Sequence, residues 1–179
     1  MELIKTQFKD LYILKFPHFI DSRGAFQKVF THHELEAAGL DIDIREIYYS
    51  VNKKGVIRGM HFQFPPHDHV KIVSVSSGRI LDVVVDIRKE QPTYGKHFSI
   101  ELNAENGCAL LIPSGMAHGF ACLEEGSIVN YAQSSCYAPE SDGGISYDSF
   151  GFDWPLDDAI ISDRDTTFPK FNDFKTPFR

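Results

Sequence analysis

Short segments of strand-forming composition recur along most of the chain, and turns rich in glycine, proline, asparagine and serine separate them. Many short strands at such spacing are typical of an all-β sandwich or barrel. The candidate strands are residues 11–16, 25–30, 46–52, 56–63, 71–75, 80–87, 97–102, 109–113, 119–123 and 128–131. The sequence therefore predicts an all-β fold in a single domain over residues 1–179, because it shows no repeat or long linker.

The segments between these strands carry turn and helix signals. Residues 76–78 and 104–107 are predicted to form hairpin turns, since glycine and asparagine tolerate positive φ angles. One helix is predicted over residues 32–38, with Thr31 as its N-cap, Glu34 completing a capping box and Gly39 ending it. A further short turn is expected within residues 157–163.

Composition narrows the class of protein. Hydrophobic residues make up 42% and charged residues 24% of the chain, which indicates a folded core rather than disorder. The formal net charge of −7 argues against a nucleic-acid partner, which requires a basic surface. No apolar run could span a bilayer, no secretory signal is evident, and the three cysteines form no Cys-x-x-Cys pair. We therefore expect a cytoplasmic protein without a membrane partner.

Charged side chains interrupt the apolar pattern of two predicted strands. Alternation along residues 80–87 places Asp82 and Asp86 on the same face as Val84. Lys71 alternates with valines in the same way. Because unpaired charges are costly to bury, these faces either meet solvent or line a polar cavity at the mouth of a barrel.

Several histidines lie in segments where a metal site could form. The segment from Gly107 to His118, a strand followed by a Pro-x-Gly turn, resembles the second motif of the cupin superfamily of jelly-roll barrels. The place of the first cupin motif holds His67-Asp-His69 but lacks the glutamate ligand, and Lys71 would set a positive charge beside an ion. We expect no metal and no cofactor, and interpret His67 and His69 as polar loop residues, although these two with His118 leave a metal site open.

A longer series of motifs resembles the dTDP-4-dehydrorhamnose 3,5-epimerase family, whose members are cupin-fold enzymes that use no metal. The central motif is Arg58-Gly-Met-His61-Phe-Gln63, which is similar to the family's Arg-Gly-Leu-His-Tyr/Phe-Gln. The other matching segments, in order, are Asp21-Ser-Arg23-Gly24, Lys71-Ile-Val, Asp82-Val-Val-Val-Asp86-Ile-Arg88, Pro92-Thr-Tyr-Gly95, Ile112-Pro-x-Gly-Met-Ala-His118-Gly-Phe120 and Ser162-Asp-Arg164-Asp165. The resemblance implies a cupin-type jelly-roll barrel with a short N-terminal helix and a C-terminal segment, acting as a homodimer.

The resemblance also implies a reaction and its residues. Epimerisation beside a C4 ketone needs a base, a proton donor on the opposite face, and a positive group at the enolate oxygen. In this sequence His61 is the implied base in a dyad with Asp165, Tyr131 the acid, and Lys71 the enolate stabiliser. The implied contacts to a nucleotide-diphospho-4-keto-sugar are Arg23, Lys28, Tyr48, Arg58, Gln63, Asp82, His118, Tyr137, Asp142 and Arg164.

The sequence departs from the family pattern at positions that would recognise the substrate. Lys28 stands where typical members have glutamate, Glu46-Ile-Tyr48 replaces Gln-Asp-Asn, and His69 replaces glutamine. A GDP- or CDP-linked sugar, and epimerisation at one carbon only, therefore remain alternatives to the dTDP-linked 3,5-epimerisation. So do a 3,4-ketoisomerase of the same superfamily and a non-catalytic sugar-binding cupin.

One geometric requirement follows from the central motif. Arg58 and His61 are three residues apart, so strict strand alternation would point them to opposite faces. Both can reach one pocket only if the strand bulges between them, and we predict that bulge at Gly59.

Overall fold

The computed structural model describes residues 1–179, and nearly all of its regular elements are strands, with only two short α-helices, which confirms the predicted all-β class. Its elements are β1 Glu2–Lys5, β2 Tyr12–Lys15, β3 His18–Asp21, β4 Gly24–Gln27, α1 His32–Ala37, β5 Glu46–Asn52, β6 Ile57–Gln63, β7 Lys71–Ser77, β8 Arg79–Asp86, β9 His97–Asn103, β10 Cys108–Ile112, β11 Met116–Cys122, β12 Ser127–Gln133, β13 Asp142–Gly144 and α2 Asp163–Thr166. Two short 3₁₀ turns, Pro139–Ser141 and Phe171–Asp173, complete the structure. None of the helices has the length and apolarity needed to cross a membrane.

The strands form two large antiparallel sheets and one separate ribbon. The first sheet has the order β1-β2-β10-β7-β12-β5, and the second has the order β13-β6-β11-β8-β9. The ribbon consists of β3 and β4, which pair only with each other. Strands that are neighbours in a sheet are mostly distant in sequence, so the chain passes repeatedly from one sheet to the other.

The main core lies between the two large sheets. Val73 and Val129 of the first sheet pack in the same buried cluster as Val84 and Phe120 of the second. The outer face of the second sheet is covered as well, because Val83 and other residues of that face pack against the C-terminal segment from residue 145 onward. Strand β8 is therefore buried on both faces, which explains its nearly continuous run of aliphatic residues.

Both predicted hairpins are wrong. Residues 76–78 lead from β7 in the first sheet to β8 in the second, and residues 104–107 lead from β9 to β10 in the opposite direction. At the first corner Gly78 has φ +72°, and a Cβ there would lie 2.9 Å from the Cα of Ser127. The glycine thus serves a close crossing between sheets, a requirement that produces the same local signal as a hairpin turn.

The ends of several elements also differ from the predictions. Strands β1, β3 and β13 were not predicted, and the strand expected over residues 25–30 is only Gly24–Gln27. Helix α1 begins after Thr31 as expected, but the predicted capping box is wrong because the Thr31 side chain makes no capping hydrogen bond. Glu34 instead pairs with the amino group of Met1 at 2.5 Å. The later short turn lies at Asp163–Thr166, where Ser162 accepts a hydrogen bond from the backbone N–H of Asp165.

Lys71 of β7 and Asp82 and Asp86 of β8 are buried, so the interpretation that their faces meet solvent is wrong. Asp86 is fully buried and accepts hydrogen bonds from the guanidinium of Arg88 and the hydroxyl of Thr93. This network is structural, because it ties the end of β8 to the following loop. Asp82 and Lys71 are buried at the other polar region, which is the candidate site.

Candidate active site

Two adjoining cavities lie between the sheets, with volumes of about 330 and 200 Å³. Tyr48, His61 and Lys71 line both of them. The larger, outer cavity also contains the predicted residues Gln63, Tyr137, Asp142 and Arg164. The smaller, inner cavity also contains the predicted residues Arg58, His118 and Tyr131. Strands from both sheets thus bring most of the predicted site residues into one region.

The predicted bulge places Arg58 and His61 on the same cavity. His61 pairs with His118 across β6 and β11, but Arg58 pairs with Phe120, so three steps along β6 match two along β11. Gly59 lies within this shift at φ +143°, and a Cβ there would lie 2.6 Å from the Cα of Gly119. The close approach of the two strands therefore requires glycine, and the predicted irregularity at Gly59 is confirmed.

A carboxylate holds one nitrogen of the His61 ring. The Asp165 Oδ1 lies 2.8 Å from His61 Nε2, and the Gly59 N–H donates to Asp165 Oδ2 at 3.1 Å. Burial would by itself raise the pKa of the Asp165 carboxyl, but the hydrogen bonds from His61 and Gly59 hold that pKa below its ordinary value. An ionised Asp165 accepts the Nε2 proton of a neutral His61, so the lone pair of Nδ1 is available to a substrate.

A second histidine–carboxylate pair lies deeper. His118 Nε2 lies 2.8 Å from Asp82 Oδ2, and both side chains are buried. Burial lowers the pKa of His118, although Asp82 favours its charged form. Burial likewise lowers the pKa of Lys71 to about 8, against the attraction of Asp82 and Asp142. Lys71 thus provides an ammonium group with few competing water molecules, at a pKa close to neutral pH.

Tyr131 is buried against a second tyrosine. The rings of Tyr48 and Tyr131, directly opposite each other on β5 and β12, stack with centroids 4.7 Å apart. Burial raises the pKa of the Tyr131 hydroxyl well above its ordinary value, and raises that of Tyr48 to about 12. Tyr131 therefore keeps its proton at neutral pH, as a proton donor must.

The outer cavity has a charged and aromatic rim. Arg164 pairs with Asp142 at 2.6 Å, and the ring of Tyr137 is more than half exposed. The Glu46 carboxylate accepts hydrogen bonds from the Tyr137 N–H at 2.6 Å and from Gln133 Nε2 at 3.1 Å. The departure from the family pattern at Glu46 thus lies directly at this rim.

Of the predicted contact residues, Asp82 is fully buried against His118 and lines neither cavity. Two others do not reach either cavity of the same chain. Arg23 lies on the β3–β4 ribbon, where its side chain is 88% exposed and pairs with Asp21. Lys28 follows the end of the ribbon and lines neither cavity. Within one chain the structure therefore does not bring these residues to His61.

Several lining residues were missed by the sequence reasoning. They are Ser50 and Gln133, together with Asn52, which contacts Arg58. Glu46 and His69 also line the outer cavity, and the sequence analysis names them as departures from the family pattern and not as contact residues. Strand alternation could have found Ser50 and Asn52, since both share a face with Tyr48. His69 lies in the loop before β7 as expected, but it is buried, and its Nε2 has no hydrogen-bond partner. Burial and the nearby Lys71 lower the pKa of His69 to about 4, so its ring is neutral.

The histidines do not form a metal centre in the structure, since no three His, Cys, Asp or Glu side chains are grouped so as to hold an ion. His61 and His118 each direct one ring nitrogen at a carboxylate instead. His67 Nε2 lies 3.5 Å from a carboxylate oxygen of Glu140.

Comparison with known proteins agrees with this geometry. The family model described as dTDP-4-dehydrorhamnose 3,5-epimerase matches residues 5–173. The chain belongs to this family. The dTDP-4-dehydrorhamnose 3,5-epimerase of Methanothermobacter thermautotrophicus is 40% identical over 167 residues, which are 90% of each chain. That of Shigella flexneri is 36% identical over 176 residues, which are 97% of each chain.

A solved structure shows the same fold. The Legionella pneumophila dTDP-6-deoxy-D-glucose-3,5-epimerase, in complex with dTDP-4-keto-L-rhamnose, is 33% identical with a TM-score of 0.92. The match covers 97% of this chain and 94% of that one. The predicted family and the cupin-type jelly-roll fold are thus confirmed, and the chain is an epimerase by family.

Proposed function

We propose that this epimerase acts on a nucleotide-diphospho-4-keto-6-deoxysugar, at the carbons C3 and C5 that flank the ketone, in deoxysugar and surface-polysaccharide biosynthesis. One observation carries the proposal. The carboxylate-bound His61 and the protonated Tyr131 line the same inner cavity, together with the buried ammonium of Lys71. A base, an acid and a cation in one cavity of about 200 Å³ are what inversion beside a ketone requires.

His61 is the base of this mechanism. The C4 carbonyl of the sugar acidifies the protons on its neighbouring carbons. Asp165 holds His61 by Nε2, so that Nδ1 takes a proton from carbon and the resulting imidazolium is stabilised by the carboxylate. The carbon–hydrogen electron pair moves into the enolate, whose negative charge develops on the C4 oxygen.

Lys71 stabilises that charge. Its ammonium lies in a buried setting, where electrostatic stabilisation is stronger than in water. His118, held by Asp82 in the same cavity, contributes a polar ring beside the sugar. Tyr131 then donates its hydroxyl proton to the opposite face of the enolate carbon, and the ketone re-forms with inverted configuration.

The outer cavity fits the nucleotide end of such a substrate. Arg164 supplies a guanidinium for the diphosphate, with Arg58 nearer the sugar. The exposed ring of Tyr137 offers a surface on which a base can stack, as the family resemblance implies. Gln63 and Asp142 add further polar groups to the wall of the outer cavity. Because the Legionella relative is in complex with a dTDP-linked sugar, we propose thymine as the base.

We further propose that the protein is a homodimer. The outward residues of β5, which are Ile47, Tyr49 and Val51, are each more than half exposed on the edge strand of the first sheet. The β3–β4 ribbon exposes Phe19 and Phe26 to a similar degree. Apolar surface of this kind is typical of an interface. A partner ribbon lying over β5 would carry Arg23 and Lys28 toward the neighbouring cavity.

We propose that catalysis needs neither metal nor cofactor and takes place in the cytoplasm. Lys71 supplies the positive charge that a metal ion would otherwise provide. Protein treated with a chelator should keep its full rate of epimerisation. Loss of the rate on chelation, with recovery on adding a divalent ion, would contradict this part of the proposal.

Deuterium incorporation tests the proposed function most directly. The protein is incubated in heavy water with a panel of dTDP-, GDP- and CDP-linked 4-keto sugars, and NMR follows each carbon-bound proton. We expect exchange and inversion beside the ketone, with the dTDP-linked sugar fastest. The spectra also report whether C3, C5 or both exchange. If no sugar of the panel exchanges, the protein is not an epimerase of this substrate class.

A further inference from the structure

A line of three hydrogen bonds connects the guanidinium of Arg58 with the hydroxyl of Tyr131. Arg58 Nε donates to Asn52 Oδ1 at 2.7 Å. Asn52 Nδ2 lies 3.0 Å from Ser50 Oγ, and Ser50 Oγ lies 3.3 Å from the Tyr131 hydroxyl oxygen. Two members of this line, Ser50 and Asn52, carry no charge and have no role in the mechanism as described above.

The donors and acceptors along this line can be ordered. An arginine has no acceptor atom, so the Asn52 atom that faces Arg58 must be the carbonyl oxygen. The amide nitrogen of Asn52 then faces Ser50, and its two hydrogens serve three acceptors, because one hydrogen is shared. The other two acceptors are the backbone oxygens of Ser50 and Ser127, each at 3.1 Å. Asn52 is buried, so three groups fix the orientation of its amide.

The same donor-to-acceptor order extends from Asn52 through Ser50 to Tyr131. Ser50 Oγ accepts a hydrogen bond from Asn52 Nδ2, which leaves the Ser50 O–H available to donate a hydrogen bond to the Tyr131 oxygen. Ser50 is the hydrogen-bond partner of the Tyr131 hydroxyl within the chain. With its oxygen accepting from Ser50, Tyr131 directs its own O–H away from Ser50 and toward the cavity that it lines.

We propose that Ser50 and Asn52 are positioning residues that make Tyr131 the proton donor in the second half of the epimerisation. The inference rests on the proposed function, because it needs Tyr131 to be the acid. In that step the Tyr131 O–H bond breaks, a C–H bond forms at the enolate carbon, and the C4 ketone re-forms. The charge left on the Tyr131 oxygen is stabilised by the proton of Ser50, and solvent returns a proton to Tyr131 before the next turnover.

The stacked ring of Tyr48 completes the arrangement. It lies 4.7 Å from the ring of Tyr131, with an angle of 16° between the planes, and so restricts the swing of that ring. The hydroxyl of Tyr131 is thus placed by the Tyr48 ring on one side and by Ser50 at its end. With Ser50 as the donor, this hydrogen bond directs the hydroxyl proton of Tyr131 toward the cavity.

Substitution of Ser50 separates this role from a structural one. In heavy water, abstraction of the sugar proton by His61 is measured as deuterium exchange, and donation by Tyr131 as inverted product. Ser50→Ala should leave exchange within about threefold of the wild type and lower inversion about 10- to 100-fold, as expected for one hydrogen bond to a developing charge. Ser50→Thr keeps the hydroxyl and should restore most of the inversion.

Asn52→Asp provides a second test with almost no change in shape. The new carboxylate would accept a hydrogen bond from Arg58 and another from the Ser50 O–H. The Ser50 O–H would then no longer point to Tyr131. We therefore expect the same selective loss of inversion as in Ser50→Ala. Thermal unfolding of each variant shows whether it is folded. If Asn52→Asp is unstable, the comparison of Ser50→Ala with its control Ser50→Thr decides the test.

The outcomes are distinct from those of the proposed function. Wild-type inversion in both Ser50→Ala and Asn52→Asp would overturn the inference while leaving the function intact. An equal loss of exchange and inversion would also overturn it, because it would indicate general damage to the site. If the wild-type protein exchanges deuterium with no 4-keto sugar, the proposed function fails and this inference fails with it.

Discussion

The protonation states in the cavity are set by the surroundings of each side chain rather than by its type. Asp165 accepts hydrogen bonds that favour its ionised form, whereas burial keeps Tyr131 protonated. Two groups whose pKa values move apart in this way are suited to act as the base side and the acid side of one reaction. The assignment can therefore be tested by removing one function at a time.

Substitution of His61 and of Tyr131 should affect different halves of the reaction. His61→Ala should abolish deuterium exchange at every carbon, since general acid–base groups typically contribute about 10²- to 10⁴-fold. Tyr131→Phe keeps the stacked ring and removes only the hydroxyl, so exchange should survive while inversion is lost. NMR of the sugar protons in heavy water measures both. Inversion at the wild-type rate in Tyr131→Phe would show that Tyr131 is not the acid.

Lys71 should limit activity on the alkaline side. Its pKa in the folded protein is about 8, against an ordinary value of 10.5, so the ammonium loses its proton as pH rises through about 8. If that ammonium stabilises the enolate, kcat/KM should fall above about pH 8, because this ratio reports the free enzyme. The raised pKa of Tyr131 cannot produce a fall in that range.

The control for this pH profile is Lys71→Arg, whose guanidinium stays charged up to about pH 12. Whatever the maximal rate of this variant, the alkaline fall of its kcat/KM should move to higher pH by more than one unit or disappear. A profile of kcat/KM that stays level to about pH 10 in the wild type would contradict the role of Lys71.

The lowered pKa of Lys71 has the opposite effect on folding stability. Between about pH 8 and pH 10.5 the unfolded chain binds more protons at Lys71 than the folded chain does. The contribution of Lys71 therefore makes the free energy of unfolding rise with pH in this range.

Most of the residues that could be predicted from sequence stand in motifs that resemble those of the family. His61 and Lys71 lie within such motifs, and the structure brings both to one cavity. Strand alternation places Ser50 on the face of Tyr48, but the hydrogen bond of Ser50 to Tyr131 and the burial of His69 could not be predicted, because a serine in a strand and a histidine in a loop are common without any site. Their environment depends on which strands lie opposite them, which the local sequence does not specify.

At the scale of elements, the bulge in β6 decides whether the site exists. Without the register shift, Arg58 and His61 would face opposite sides of the sheet. Sequence reasoning predicted this irregularity because two motif residues had to share a pocket. It failed at the turns after β7 and β9, because a hairpin and a crossing between sheets use the same glycine-rich residues.

Substitution of Gly59 should therefore destabilise the fold more than substitution of a glycine whose Cβ position is open. In Gly59→Ala the new Cβ would lie 2.6 Å from the backbone of Gly119, at a φ of +143° that side chains rarely adopt. We expect a loss of about 2–4 kcal/mol in the free energy of unfolding, measured by denaturant titration, together with loss of activity.

Gly126→Ala is the matched control for this substitution. Gly126 also has a positive φ, +75°, but no atom lies within 4 Å of its Cβ position. The Gly126→Ala variant should lose only about 1 kcal/mol in the free energy of unfolding, from backbone strain alone. Equal losses in the two variants would show that the close contact between β6 and β11 has little effect on stability.

At the scale of the whole molecule, the β3–β4 ribbon contributes to neither sheet and to neither cavity of its own chain. β3 and β4 pair with neither large sheet, and they expose apolar side chains and Arg23 to solvent. An isolated two-stranded ribbon has little stability of its own in water. A partner subunit would cover the ribbon and the exposed face of β5, and would give Arg23 an anionic substrate to contact.

Mixed dimers can show whether Arg23 serves the neighbouring subunit. Arg23→Ala and His61→Ala should each have low activity as pure proteins, the first through weaker substrate binding and the second through loss of the base. After unfolding and refolding together, a mixed dimer would contain one site with both defects and one site with neither, because a twofold interface exchanges the ribbons reciprocally. Random mixing should then restore about a quarter of the wild-type sites.

Sedimentation checks whether the protein is a dimer. A species near 20.3 kDa at micromolar concentration would contradict the dimer. If the protein is dimeric and mixing gives no recovery, Arg23 does not act across the interface, and the charge that binds the diphosphate must come from Arg164 and Arg58 of the same chain.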